Sequence, residues 1–262
     1  MERVRVKTGD TEATPYGGGT WASRGAGIGG EAMLQAAEAL KEQVLEVAHV
    51  ILQAKPGDLD IRNGAVAEVD GTERMSLSDL ARTVYYRGNE LPPDLKPELI
   101  ATRHYRVTDV PFVFTNGAMA AHVEVDTETG LARVLNFWAV EDCGRVINPL
   151  LVDEQIRGGV VQGIGGALYE ECLYSDDGQM LNASMADYLV PMAAEMPEIH
   201  VAHIETPTRS SVLGAKGAGE AGTGGAPAAV MNAINDALRP LGATVWHMPM
   251  TPERVLKALG RV

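Results

Sequence analysis

Apolar residues change their spacing along the chain, and that spacing predicts an order of elements. Val4-Arg5-Val6 alternates apolar and charged side chains and predicts a short strand. A glycine-rich stretch follows at 16–30. Residues 31–53, rich in Ala, Leu, Glu and Gln, predict a long helix that Pro56-Gly57 ends. Asn63-Gly64 predicts a small hairpin across 59–69. Ser76, with Asp79 three residues on, marks the start of a helix over 76–87. Three prolines within 90–97 predict a loop or linker. Alternation resumes over 115–126 and 131–141, a hairpin joined by Thr127-Glu128-Thr129-Gly130. The dense glycine and apolar run at 148–171 predicts a loop leading into a buried helix. Beyond it come a strand at 199–205, a second glycine-rich loop at 206–225, and a helix over 226–238 with Pro227 near its first turn. Pro252, just after Thr251, opens a last helix. No repeat of 20–50 residues and no low-complexity tail occur. This mixture predicts an α+β fold, mixed sheets and hairpins with packed helices and glycine-rich loops, rather than alternating β–α units.

A chain of 262 residues suffices for one large domain or two small ones. We read residues 1–262 as one domain with a candidate sub-boundary at 90–115. Glycine makes up 29 of those residues, well above its usual share of roughly 7%. Backbone lacking Cβ approaches a ligand closely, so the location of that excess matters. With three Phe and three Trp, the core is expected to be aliphatic.

Charge narrows the function. There are 22 basic against 35 acidic residues, a net charge of −13, and no basic face for nucleic acid is expected. An anionic ligand would have to be held by backbone N–H groups and a few local cations. Two cysteines, Cys143 and Cys172, cannot supply a CxxC metal site or an iron–sulfur cluster, and we expect two buried, reduced thiols. The six histidines show no HExxH pattern, and no metal site is expected. No run of roughly 18 apolar residues predicts a membrane span. No apolar core of a signal peptide follows the first charges, which makes the cytoplasm the default location.

Three stretches carry candidate chemistry. Gly25-Ala26-Gly27-Ile28-Gly29-Gly30 fits G-x-G-x-x-G, but a dinucleotide fold needs a strand directly before it and an acid at the end of a second strand. Here a glycine-rich loop precedes it, and Glu46 falls in mid-helix. The loop still leads into a helix N-terminus that offers N–H groups to a phosphate, with Arg24 able to add a charge-assisted contact; the alternative is a plain loop with Arg24 in solvent. Gly214-Ala215-Lys216-Gly217-Ala218-Gly219-Glu220-Ala221-Gly222 places one carboxylate among small residues. It reads either as a buried general base or as a Lys–Glu surface turn. Val161-Gln162-Gly163 places one amide in an apolar helix, where a backbone hydrogen bond is the simplest expectation.

The order of motifs resembles the C-terminal half of the molybdenum-binding large subunit of the xanthine dehydrogenase, aldehyde oxidase and carbon monoxide dehydrogenase family. Val6-Lys7-Thr8-Gly9-Asp10-Thr11 and Gly19-Thr20-Trp21-Ala22-Ser23-Arg24-Gly25 resemble its strand and first pterin-dinucleotide loop. Asp142-Cys143-Gly144-Arg145-Val146-Ile147-Asn148-Pro149 resembles its D-x-G-x-x-I-N-P turn. Residues 155–163 resemble its Q-x-x-G-G-x-x-Q-G run, and residues 214–220 its G-x-K-G-x-G-E loop.

The resemblance implies a second molybdopterin-binding domain. It implies that Glu220 is the active-site base, which takes a proton from the attacking oxygen. Trp21, Ala22, Ser23, Arg24 and Gly25 would surround the cofactor phosphates, with Ser23 and Arg24 in direct contact. Gln162 and Gly163 would lie near the metal's oxygen ligands, and Lys216 and Gly217 would line the same pocket. The cofactor implied is molybdenum–molybdopterin in its cytosine dinucleotide form, with iron–sulfur clusters and FAD on partners only. The partners implied are the upstream half of the large subunit, an iron–sulfur small subunit, a FAD medium subunit and a small-molecule substrate. The family's upstream half is not in this sequence, so we expect a split subunit, a fragment or a truncated product of a bacterial molybdenum hydroxylase. A non-catalytic binding or assembly module is the alternative, and a nicotinamide-dependent dehydrogenase is a third reading.

Overall fold

The computed structural model describes residues 4–14, 17–55, 57–95, 97–107 and 113–262. It is an α+β structure, as the patterning predicts, and it divides into two compact units. One unit spans residues 28–106; the other joins residues 1–27 to 107–262.

In the unit of residues 28–106, helix α1 (Glu31–Leu52) ends at Gln53, which takes a left-handed conformation at φ 53°. Strands β1 (Leu59–Arg62), β2 (Ala65–Glu68) and β3 (Glu73–Ser76) form an antiparallel meander in the order β1-β2-β3. Asn63 and Gly64 both have positive φ, as the tightest hairpin turns require. The third strand escapes a periodicity reading because Glu73-Arg74-Met75-Ser76 is nearly all polar. Helix α2 (Leu77–Tyr86) starts where predicted: Ser76 Oγ accepts the Asp79 N–H at 3.0 Å. Val44, Val47 and Ala48 of α1 share a small core with Leu59, Val66, Leu80 and Val84.

The unit of residues 1–27 and 107–262 is built on a three-stranded mixed sheet in the order β4-β5-β6. β4 (Asn116–Val125) and β5 (Ala132–Asp142) form the predicted hairpin, and β6 (Glu198–His203) runs parallel to β5. Helices α3 (Pro149–Leu168) and α4 (Ala221–Leu238) pack together, and α5 (Pro252–Ala258) closes the chain. Phe137, Ala139 and Ile199 meet Ile156, Val160, Val230 and Ile234 in one aliphatic core. Glu141 is the exception among these positions: it is 2% exposed, and burial pushes its carboxyl up despite the nearby His203.

Several expectations are corrected. Val4–Val6 is not a strand; both valines are exposed and unpaired among the described residues. Gly25–Gly30 is a π-helical turn rather than an open loop. The stretch after Asn148 is helical from Pro149 onward, because Asn148 caps it by accepting the Leu151 N–H at 3.3 Å. α4 begins at Ala221, five residues before the predicted start, so Pro227 lies in its second turn. Both helix errors follow from glycine, which costs up to about 1 kcal/mol per residue in a helix. Packing reverses that preference here. A Cβ on Gly222 would sit 2.5 Å from the Ile156 carbonyl oxygen and 2.7 Å from the Val160 nitrogen, so the two helices touch through bare backbone. Of the cysteines, Cys143 is buried and Cys172 exposed, and both are free thiols. Among the described residues no helix is long and apolar enough to cross a membrane.

Candidate functional site

Three segments of the larger unit converge on a cleft of about 550 Å³: residues 20–26, residues 143–155 and residues 215–220. Each is shaped by a local feature of the sequence. In the first, Ala22 and Ser23 stand consecutively at φ 49° and 51°, a left-handed conformation uncommon for residues with a Cβ. Two hydrogen bonds hold that turn. Ser23 Oγ accepts the Glu220 N–H at 3.0 Å and donates to Glu220 Oε2 at 3.0 Å. Gly217 lies directly against it, since a Cβ there would come within 2.8 Å of Ser23 Cβ.

The second segment is the D-x-G-x-x-I-N-P turn; its Asp, Gly, Asn and Pro shape the turn, while Ile147 is exposed and, with Asn148, lines the cleft. Asp142 ends β5 and accepts the Gly144 N–H at 2.9 Å and the Thr206 N–H at 3.1 Å; the Thr206 hydroxyl donates to its other oxygen. Gly144 has φ +69°, and a Cβ there would meet the Gly214 carbonyl oxygen at 2.3 Å. Asn148 and Pro149 then start α3, whose first residues Leu151 and Val152 line the cleft.

The third segment is anchored by Lys216. Its ammonium donates to Asp142 Oδ2 at 3.2 Å and to Thr206 Oγ1 at 2.8 Å, with both charged side chains about nine-tenths buried. Burial works to raise the Asp142 carboxyl, but hydrogen bonds from Thr206, Gly144 and Lys216 outweigh it and hold the group at about 2. A depressed carboxyl stabilises the fold above its unfolded value near 4, and that stability is lost as pH falls through the folded value. Asp142→Asn is therefore expected to lose on the order of 2 kcal/mol at pH 7 in urea denaturation. The gap to wild type should close between pH 4 and pH 2, where wild-type Asp142 itself becomes neutral; a gap that persists unchanged at pH 2 would rule this out.

The structure brings together Trp21, Ala22, Ser23, Gly25, Lys216 and Glu220 of the residues singled out from the sequence. Glu220 is exposed within this chain rather than buried, and it stands at the N-terminus of α4. Four others do not line the cleft. Arg24 donates to the Gly17 carbonyl at 3.2 Å and to the Gly19 carbonyl at 2.7 Å, and its guanidinium lies 4.6 Å from the centre of the Trp21 ring. Gln162 is exposed on α3 and accepts from the Thr223 hydroxyl at 3.2 Å, which replaces the buried amide expected from its neighbours. Gly163 packs against Ala226 and Pro227 of α4, and Gly217 against Ser23. Arg145, Asn148 and Gln155 line the cleft and were not singled out; Arg145 falls at a variable position of its motif, whereas Asn148 and Gln155 are consensus positions of theirs.

Comparison with known proteins gives the chain its family. The nicotine 6-hydroxylase large subunit of Paenarthrobacter nicotinovorans is 40% identical over 259 residues, 98% of this chain and 32% of that protein. The carbon monoxide dehydrogenase large chain of Afipia carboxidovorans is 32% identical over 256 residues, 97% of this chain and 31% of that protein. The solved structure of quinoline 2-oxidoreductase from Pseudomonas putida 86 superposes with a TM-score of 0.84 at 39% identity, covering 95% of this chain and 32% of that one. The chain thus spans about a third of the length of these relatives. The molybdopterin cofactor-binding domain family matches residues 1–197. The chain belongs to that family of molybdopterin cofactor-binding domains.

Proposed function

We propose that this chain forms one wall of the cofactor site of a molybdenum hydroxylase and contributes Glu220 as its general base. The observation that carries the reading is the reciprocal Ser23–Glu220 contact, which joins the two glycine-rich loops at the edge of the cleft. The residues present fit a phosphate-bearing cofactor. Leu151, Val152 and Gln155 near the start of α3 line the cleft together with Glu220, the N-cap of α4, and such helix ends favour anions. The small residues Ala215, Ala218 and Gly219 line the cleft without bulky side chains. Trp21, Ala22, Ser23 and Gly25 would hold the phosphate end of a molybdenum–molybdopterin cofactor, in its cytosine dinucleotide form.

Bound there, the cofactor supplies two-electron redox chemistry for hydroxylation with water as the oxygen source. The protein's own part is proton handling and placement. The Ser23 hydroxyl fixes Glu220 Oε2, and Oε1 carries no hydrogen bond from a described residue, so it is open to receive a proton. The substrate is a small molecule of the kinds named in the relatives, a nitrogen heterocycle, a purine, an aldehyde or carbon monoxide. The rest of the large subunit, an iron–sulfur small subunit and a FAD medium subunit would complete a cytoplasmic enzyme. The test is molybdenum and acid-released cytidine monophosphate per chain in the native complex purified through a tag on this chain. Near-equal amounts of both are expected. A folded complex containing neither would overturn the reading.

A further inference from the structure

Three charged side chains line the cleft: Arg145, Lys216 and Glu220. Lys216 is spent on Asp142 and Thr206 and is 9% exposed. Arg24, the cation that sequence reasoning favours for phosphate, lies off the cleft wall with its guanidinium bonded to the carbonyl oxygens of its own loop. Arg145 differs from both. Its guanidinium makes no ion pair or hydrogen bond with any described residue, and the residue is exposed.

The backbone beneath Arg145 is nonetheless fixed. Its N–H donates to the Gly214 carbonyl oxygen at 3.0 Å, the preceding Gly144 N–H donates to buried Asp142, and the Val146 N–H donates to Glu205 Oε2 at 3.2 Å. An uncommitted five-donor fork on a rigid turn suits an oxyanion with two or more oxygens. Asn148 and Leu151, at the start of the twenty-residue helix α3, share the cleft with it, so the helix end adds to the same field. The chain as a whole carries −13, yet among the residues that line the cleft Glu220 is the one acid beside Arg145; Glu205, next to the turn, accepts the Val146 N–H.

We propose that Arg145 is the phosphate clamp of the cleft: it grips a phosphate oxyanion of the cofactor's dinucleotide linkage, while Arg24 serves only to hold its own loop in shape. This rests on the cofactor-site reading above. The test compares the native complex with Arg145→Gln, Arg145→Lys and Arg24→Gln versions. Molybdenum and released cytidine monophosphate per chain are followed during dialysis against 0.5 M salt. Arg145→Gln is expected to lose both at least about 10-fold faster than wild type, the size of a lost charge-assisted contact. Arg145→Lys should fall between them, because the charge stays while the fork is gone. Arg24→Gln should lower the melting temperature more than it speeds cofactor loss. Retention in Arg145→Gln equal to wild type, in a wild type that carries molybdenum and nucleotide, overturns the clamp alone. A wild type that carries neither overturns the clamp together with the cofactor-site reading. Arg145 has no protein partner among the described residues, so the substitution leaves folding intact, and an unchanged melting temperature verifies that.

Discussion

Glu220→Gln in the assembled holoenzyme is expected to slow its reduction by substrate at least about 100-fold, the lower end of what general-base catalysis supplies. The change keeps the size of the side chain and an oxygen that can accept from the Ser23 hydroxyl. The second contact is untouched, since the residue 220 N–H still donates to Ser23 Oγ. The left-handed turn at Ala22 and Ser23 therefore stays anchored, and molybdenum and nucleotide content should match wild type. Only the proton acceptor disappears. Ser23→Ala serves as the contrast: it leaves the carboxylate but frees its orientation, so a smaller rate loss is expected together with weaker cofactor retention. Stopped-flow reduction under anaerobic conditions reads the rate directly. A Glu220→Gln holoenzyme that is reduced at the normal rate would falsify the role of base and leave a binding wall alone.

Gly222→Ala is expected to cost about 3 kcal/mol or more, at or above the top of the usual overpacking range. Its added methyl group would meet the Ile156 carbonyl oxygen, the Val160 nitrogen and the Gly159 carbonyl carbon, all within 2.9 Å. These are backbone atoms of α3 and cannot swing aside as a side-chain tip does. The helices would have to separate, and separation opens the core around Ile156, Val160 and Val230. Two residues further along α4, Gly224 has nothing within 4 Å of the same position. Gly224→Ala should accordingly stabilise the helix by up to about 1 kcal/mol. Urea denaturation of the pair decides the matter: similar effects from both would mean that the close crossing carries no strain. Because α3 and α4 both begin at the cleft, Gly222→Ala should also lower cofactor retention.

The sequence alone revealed the elements whose signals are local. Ser76 and Asp79 cap α2, Thr251 and Pro252 open α5, and the turn at 127–130 joins β4 to β5; each depends on a few neighbouring residues. Where contacts span the chain, local reading failed. Glycines that break helices in isolation lie inside α3 and α4 because the partner helix occupies the space beside them. Polar β3 is a strand because β2 already stands next to it. Ser23, Lys216 and Glu220, which the pattern of motifs singled out, line one cleft. The pattern could not show that the Lys216 charge faces Asp142 inward while Arg145 faces the opening, since a cation's sequence neighbours say nothing of its distant partner. Gln162, placed near the metal by its motif, lies on the exposed side of α3 in this chain and lines no part of the cleft.

The Ser23–Glu220 contact spans 197 positions of sequence, and this sets an order of events during synthesis. Ser23 leaves the ribosome 197 residues ahead of Glu220 and lacks this partner until residue 220 follows. Helix α4, which Glu220 immediately precedes, must also emerge and pack on α3 before that contact holds. Closing so long a loop is slow relative to forming local helices and hairpins. The cofactor wall thus matures only after the local helices and hairpins of this unit have formed. Insertion of the cofactor must wait until Glu220 and α4 have emerged and packed, so a loading factor would have to recognise a folded wall rather than a nascent one.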